Sequence, residues 1–228
     1  MMDSASKSPI ACKVIIYIIS ELSDNLKYFV LVKNRLTRVG NYLLTRHLLG
    51  KGHFARVEEA IHKHLDAKVA IKIINLNELS NDYVKKHLKR EEGILSQLSH
   101  PGIIKLFEII ETKNNYYLIL EFGGDNLCNY IRSQRRCKLE EQVVRVYARQ
   151  IVSAVSYIHK KGIIHRDIKL ENILLDKVTN RIKLADFGLS SVWDKTTFLR
   201  TNCGSPEYAA PELHFGKKYG SAVDIWSL

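Results

Sequence analysis

The sequence is poor in cysteine and has no long hydrophobic run. Its four cysteines, Cys12, Cys128, Cys137 and Cys203, are scattered through 228 residues and form no C-x-x-C pair. That spacing argues against a cysteine-built metal centre, and it suits free thiols in a reducing compartment. The expected localisation is intracellular, in the cytoplasm or nucleus. The most apolar stretch, Ile10 to Ile19, is interrupted by Lys13 and is too short to cross a bilayer. No small-residue cleavage pattern follows it, only Ser20-Glu21-Leu22-Ser23-Asp24-Asn25, so it does not read as a signal peptide. No membrane span, internal repeat or low-complexity segment is expected. Acidic residues are also in short supply: 24 Asp and Glu against 35 Lys and Arg leave a net charge of +11. Such a balance raises nucleic acid or an anionic membrane as partners. The basic residues are spread along the chain, however, and the local group Lys85, Lys86, Lys89 and Arg90 reads as a solvated helix face, so no nucleic-acid partner is expected.

Hydrophobic residues make up 46% of the chain, a globular composition with enough length for one large domain or two lobes with real cores. Residues 1–38 read as an N-terminal extension of unknown structure whose β-branched run (Val14, Ile15, Ile16, Ile18, Ile19) suits a strand. From Tyr42 the pattern changes. Tyr42 to Leu49, Arg56 to His62 and Val69 to Ile74 read as strands, followed by a helix over Asp82 to Leu98. The apolar stripe of that helix, Val84, Leu88, Leu95 and Leu98, also carries Glu91, whereas Glu92 is turned about 100° away. A carboxylate on a buried stripe needs a cationic partner. His100-Pro101-Gly102 ends this unit. Strands follow at Ile103 to Glu111 and Tyr116 to Glu121, and Gly123-Gly124 marks a hinge. Beyond it, Glu140 to Lys160 reads as a helix with a stripe at Val144, Ile151, Val155 and Ile158, closed by Gly162. Ile173 to Leu175 and Ile182 to Ala185 read as short strands around a turn. The expected fold class is α+β: a β-rich first lobe of residues 39–121, a hinge at 121–126 and an α-rich second lobe from 127 to 228.

Three groups of residues carry chemistry. Gly50-Lys51-Gly52-His53-Phe54-Ala55 lies between two strands, where glycines let a backbone approach a phosphate. A strand follows this loop, whereas a dinucleotide-binding fold would place a helix there. Lys72, in Val69-Ala70-Ile71-Lys72, is placed to hold nucleotide phosphates and to pair with Glu91. In His165-Arg166-Asp167-Ile168-Lys169-Leu170-Glu171-Asn172, Asp167 would accept or orient the proton of a hydroxyl and Lys169 would neutralise a moving phosphoryl group. Asn172 and Asp186, the latter in Asp186-Phe187-Gly188, would bind magnesium, which prefers oxygen ligands.

With Ala210-Pro211-Glu212 and Asp224-Ile225-Trp226-Ser227, these motifs resemble a eukaryotic protein kinase from about Tyr42 to the last residue. Lys169, and Gly204-Ser205-Pro206 before Tyr208, resemble the Ser/Thr kinases. Leu199 to Pro206 is similar to the AMP-activated-kinase-related branch of the calmodulin-kinase group. Within that branch, Phe54-Ala55 and Tyr208 to Leu213 are similar to the hormonally up-regulated neu-associated subfamily. The resemblance implies a bilobal protein-kinase-like fold that phosphorylates Ser and Thr hydroxyls of proteins with ATP and Mg2+. It implies a nucleotide site of Leu49, Gly50, Lys51, Gly52, His53, Phe54, Ala55, Arg56 and Val57, with Ala70, Lys72, Leu120, Glu121 and Leu174. The hinge is a residue shorter than in relatives. Leu95, Leu106, His165 and Phe187 would form a stack linking the lobes, anchored by Asp224. Thr201 resembles an activation-loop site that an upstream kinase would phosphorylate and Arg166 would receive. Glu171, helped by Asp125, would meet a basic residue upstream of the target, and Ser205 would face the substrate.

In the family, further helices follow Asp224-Ile225-Trp226-Ser227, complete the second lobe and supply an arginine to Glu212. This sequence stops at Leu228. The expectation is therefore an unstable or poorly active chain, from an incomplete gene model or splice form, with part of Glu140 to Lys160 left exposed. The alternative function is a kinase-like fragment that acts only through binding.

Overall fold

The computed structural model describes residues 15–16, 30–31, 37–52, 55–78, 81–194, 199, 201 and 203–228, with backbone alone at 15–16, 30–31 and 81–87. Val84, Lys85 and Lys86 are therefore placed without a statement on their side chains, and most of the 1–38 extension lies outside the described residues. The chain divides into two compact units, Met1–Thr37 and Arg38–Leu228. In the first, β1 (Ile15–Ile16) pairs antiparallel with β2 (Val30–Leu31).

The second unit begins with a six-stranded antiparallel sheet. Its strands are β3 (Arg38–Val39), β4 (Tyr42–Lys51), β5 (Ala55–His62), β6 (Lys68–Asn75), β7 (Leu106–Glu111) and β8 (Asn115–Glu121), in the spatial order β3-β4-β5-β6-β8-β7. The middle strand, β6, is apolar on both faces because both are covered. Val69, Ile71 and Ile73 join Tyr42, Leu44, Ala60 and Ile119 on one side. Ile74, two residues on from Lys72, joins Leu88, Tyr116 and Leu118 on the other. The period of two thus puts Ala70, Lys72 and Ile74 on one face, toward α1 (Asn81–Leu95).

The second lobe is built on α3 (Glu141–Lys160). Its Tyr147, Ala154, Val155 and Ile158 pack with Ile163, Ile168, Leu175, Ile182, Leu184 and Phe187 into the largest apolar core. Around α3 lie β9 (Asp125–Asn126), α2 (Leu127–Ser133), β10 (Ile163–Ile164), β11 (Ile173–Asp176), β12 (Arg181–Leu184), β13 (Ser191–Val192), α4 (Pro211–His214) and α5 (Ala222–Trp226). Gly162 follows α3 at φ +69, and a Cβ there would sit 2.7 Å from Trp193 O. Only glycine fits that close approach.

Several expected boundaries move for local reasons. The strand expected over Ile103 to Glu111 starts at Leu106. The residues before it are tied to the second lobe instead, with Ile104 N donating to Leu184 O at 3.0 Å and Leu184 N to Gly102 O at 2.8 Å. The helix expected to reach Leu98 ends at Leu95 and tightens into a final turn in which Leu98 N donates to Leu95 O at 3.1 Å. On α3, Val144 is 46% exposed and Tyr147 is 3% exposed, so the buried stripe runs through Tyr147 and not Val144. Helix α2 was not anticipated. It is only seven residues long, and its signal is an Asn126 side chain that accepts from Asn129 N at 2.8 Å. Among the described residues, no helix is long and apolar enough to cross a membrane.

Candidate active site

A cleft of about 1950 Å³ opens between the β6 face and the second lobe. Leu49, Val57, Ala70, Leu120 and Leu174 line it, as do Gly50, Lys51, Gly52 and Ala55. The first four apolar residues fall together through sheet register, since Val57 pairs with Lys72 and Ala70 with Leu120. Gly50 has no neighbour within 4 Å of where a Cβ would stand, so the loop backbone faces open space. His53 and Phe54 lie outside the described residues. Arg56 of the expected nucleotide set has its guanidinium on Glu58 at 2.7 Å, half exposed, and is not among the residues lining the cleft. Strand alternation turns it away from its neighbour Val57. At the hinge, Glu121 donates its N–H to Lys105 O at 2.9 Å and pairs its carboxylate with Lys183 at 2.9 Å.

Deep in the cleft, Lys72 Nζ lies 2.7 Å from Glu91 Oε1 and 3.1 Å from Asp186 Oδ1. Burial alone would push the Lys72 pKa down. The two carboxylates outweigh it and raise the pKa above the ordinary lysine value. The Asp186 carboxyl is held below the usual carboxylate range, chiefly by the Lys72 ammonium. Glu92 points elsewhere, accepting from the Tyr116 hydroxyl. Asp186 adopts the left-handed backbone, φ 59, uncommon for a residue with a Cβ. It introduces Phe187, whose ring meets His165 edge-on at 4.8 Å. Leu95 and Phe187 are buried in one cluster with Leu106 packed against it, and His165 is fully buried.

The segment His165 to Asn172 is fixed by Asp224, which is 1% exposed. Asp224 accepts from His165 N and Arg166 N, each at 2.8 Å, and lies 2.8 Å from His159 Nε2. Asp167 is buried. Oδ1 accepts from Ser205 N at 2.9 Å and from Ser205 Oγ at 2.8 Å. Oδ2 accepts from Asn172 Nδ2 at 2.9 Å and lies 3.1 Å from Lys169 Nζ, which donates to Ser205 Oγ at 2.7 Å. Asn172 uses its amide nitrogen on Asp167, leaving its amide oxygen as the available group. That oxygen and the Asp186 carboxylate, both on residues lining the cleft, are a hard-oxygen donor set that fits magnesium.

Glu171 is exposed at the same cleft, with Asp125 and Glu207 also lining it. Thr201 is exposed, and Arg166 reaches it indirectly: Arg166 Nη1 donates to Tyr219 OH at 3.0 Å, and Tyr219 OH donates to Thr201 O at 2.7 Å. Tyr219, His159 and Ile104 were not singled out in the sequence. His159 could have been, because a histidine in the last turn of α3 lies just before His165-Arg166-Asp167. Ile104 is one more isoleucine among many.

The model of the protein kinase domain matches residues 43–228. The human hormonally up-regulated neu tumor-associated kinase is 47% identical over 196 residues, 84% of this chain and 27% of that protein. Its Xenopus tropicalis homologue is 47% identical over 84% of this chain and 28% of its own length. The carbon catabolite-derepressing protein kinase of Saccharomyces cerevisiae is 45% identical over 83% of this chain and 29% of its own length. The chain thus spans less than a third of the length of these curated relatives. The chain belongs to the protein kinase family.

Proposed function

We propose that residues 38–228 transfer the γ-phosphoryl group of ATP to Ser and Thr hydroxyls of protein substrates. The observation that carries this reading is the joining of two halves: Lys72, held by Glu91, reaches Asp186, while Asp167 lies beside Lys169 and Asn172. Lys72 holds the nucleotide phosphates. The apolar lining from Leu49 to Leu174 takes the purine, and backbone groups of the hinge bond its edge. Asp167 orients the substrate hydroxyl and accepts its proton, and Lys169 offsets charge on the group in transit. Asn172 and Asp186 would hold magnesium, which supplies positive charge against the phosphate oxygens. Since the chemistry needs mostly position and field, an Asp167 held in place by Ser205, Asn172 and Lys169 is suited to orienting the hydroxyl. Binding of a fluorescent ATP analogue that needs magnesium and is lost in Asp186→Asn tests the nucleotide half. Magnesium-independent binding would overturn it.

We also propose that an upstream kinase phosphorylates Thr201. A phosphate adds about −1.5 to −2 charges and gives the Arg166 guanidinium a partner beyond Tyr219 and Leu189. Supporting this is the two-step path from Arg166 to the Thr201 main chain. Thr201→Ala, treated with an upstream kinase, would then stay at basal activity, and full activation of that variant would refute the switch. Substrates carry basic residues upstream of the target, a reading supported by Glu171, Asp125 and Glu207 at the cleft. The protein works inside the cell, where its cysteines stay reduced.

A further inference from the structure

Tyr219 is a buried tyrosine whose hydroxyl serves two segments at once. It is 3% exposed, and its ring packs with Ile164, Ala210, Leu213 and Val223. The hydroxyl accepts from Arg166 Nη1 at 3.0 Å and donates to Thr201 O at 2.7 Å. Its backbone pairs with Leu199, by Leu199 N to Tyr219 O at 3.0 Å and Tyr219 N to Leu199 O at 3.1 Å. Arg166 is buried too, and its other ties run elsewhere: N to Asp224 Oδ1 at 2.8 Å and Nε to Leu189 O at 2.6 Å. Gly204, at φ +99, closes over this arginine so tightly that a Cβ would stand 2.5 Å from Arg166 O.

We propose that Tyr219 is a positioning residue, whose hydroxyl locks the Arg166 guanidinium to the main chain of Thr201, so that the segment bearing Asp167 and the segment bearing Ser205 hold one geometry. The reasoning is geometric. Arg166 immediately precedes Asp167, while Thr201 lies four residues before Ser205, and Ser205 supplies two of the hydrogen bonds to Asp167 Oδ1. One phenol hydroxyl therefore closes a ring: Asp167, Arg166, Tyr219, Thr201, Ser205 and back to Asp167. Without the hydroxyl, the buried Arg166 Nη1 loses its acceptor and Thr201 O loses its donor, and the ring opens at that point. The ring of Tyr219 supplies the packing and the hydroxyl supplies the lock, so the two roles separate in a single substitution. The effect on turnover rests on the phosphoryl-transfer reading, whereas the lock itself does not.

Tyr219→Phe removes the hydroxyl and keeps the ring. Amide hydrogen exchange at Leu199, Tyr219 and Ser205, whose N–H groups are held across these segments, should accelerate about tenfold or more, as expected for loss of about 1.4 kcal/mol of local protection. kcat on a peptide should fall severalfold, while the dissociation constant of a fluorescent ATP analogue stays within twofold. Arg166→Lys breaks the same lock from the other end and should give the same exchange pattern, which covers the case in which Tyr219→Phe fails to fold. Unchanged exchange in Tyr219→Phe would overturn the proposal whatever the activity. So would faster exchange with undiminished kcat in a protein whose parent is active. If the parent transfers no phosphate at all, the functional reading falls, and exchange alone decides for or against the lock.

Discussion

Lys72 and Glu91 meet at 2.7 Å with side chains only 14% and 5% exposed, joining the middle strand of the sheet to α1. The pair orders the ammonium that also reaches Asp186. A buried pair of this kind is a weak source of net stability, but breaking it from one side leaves a charge without a partner.

Lys72→Met should therefore cost both function and fold. Turnover should fall at least a hundredfold, and unfolding in urea should show a loss of about 3 kcal/mol from the stranded Glu91 carboxylate. The double variant Lys72→Met, Glu91→Leu should regain most of that stability while remaining inactive. If the double variant is no more stable than the single one, the pair is not the source of the loss.

Two glycines should respond oppositely to alanine. Gly124 sits at φ +84, and a Cβ there would lie 2.2 Å from Leu175 O. Gly124→Ala should destabilise by about 1–3 kcal/mol in denaturant titrations. Gly50→Ala meets no atom within 4 Å, so its stability should change little while its KM for ATP rises. Equal destabilisation by the two would contradict these placements.

His100 should make the fold sensitive to mild acid. Its Nδ1 accepts from Gly102 N at 3.0 Å, Nε2 lies 3.1 Å from Ser153 Oγ, and the ring stacks on Tyr157 at 5.1 Å. Burial first, then Lys183, holds its pKa below the ordinary 6.5. The unfolded chain then binds the proton more readily, so this contribution is full above about pH 6.5 and is lost as pH falls through the folded value. The melting temperature should drop between pH 7.5 and 5, and His100→Gln should flatten that drop. An identical slope in the variant would remove His100 from the account.

Glu171 should act on substrate choice and not on chemistry. Glu171→Gln should lower kcat/KM roughly tenfold, about 1.4 kcal/mol, for a peptide with an upstream arginine. A matched peptide without that arginine should be turned over unchanged. Equal losses on both would show that Glu171 does not select the substrate.

The reaction class was legible because its residues are close in sequence: Asp167, Lys169, Asn172 and Asp186 lie within one short stretch. The pairing of Lys72 with Glu91 was legible for a different reason, since strand and helix periods put both on inward faces. What escaped depends on long-range closure. Tyr219 looks like any tyrosine until its hydroxyl is placed between Arg166 and Thr201. Arg56 looked like part of the nucleotide loop, and strand alternation sends it to Glu58. Val144 fits a helical stripe by spacing, yet Tyr147 takes the buried position, because contact with β11 and β12 sets which side of α3 faces inward.

The most direct test of the central claim is transfer of the labelled γ-phosphate of ATP to a Ser- or Thr-containing peptide by the chain of residues 1–228, compared with Asp167→Asn. The account predicts magnesium-dependent labelling by the parent, at least a hundredfold reduced in the variant, with the ATP analogue bound equally by both. Labelling that survives Asp167→Asn, or nucleotide binding that disappears with it, would contradict the role assigned to that carboxylate.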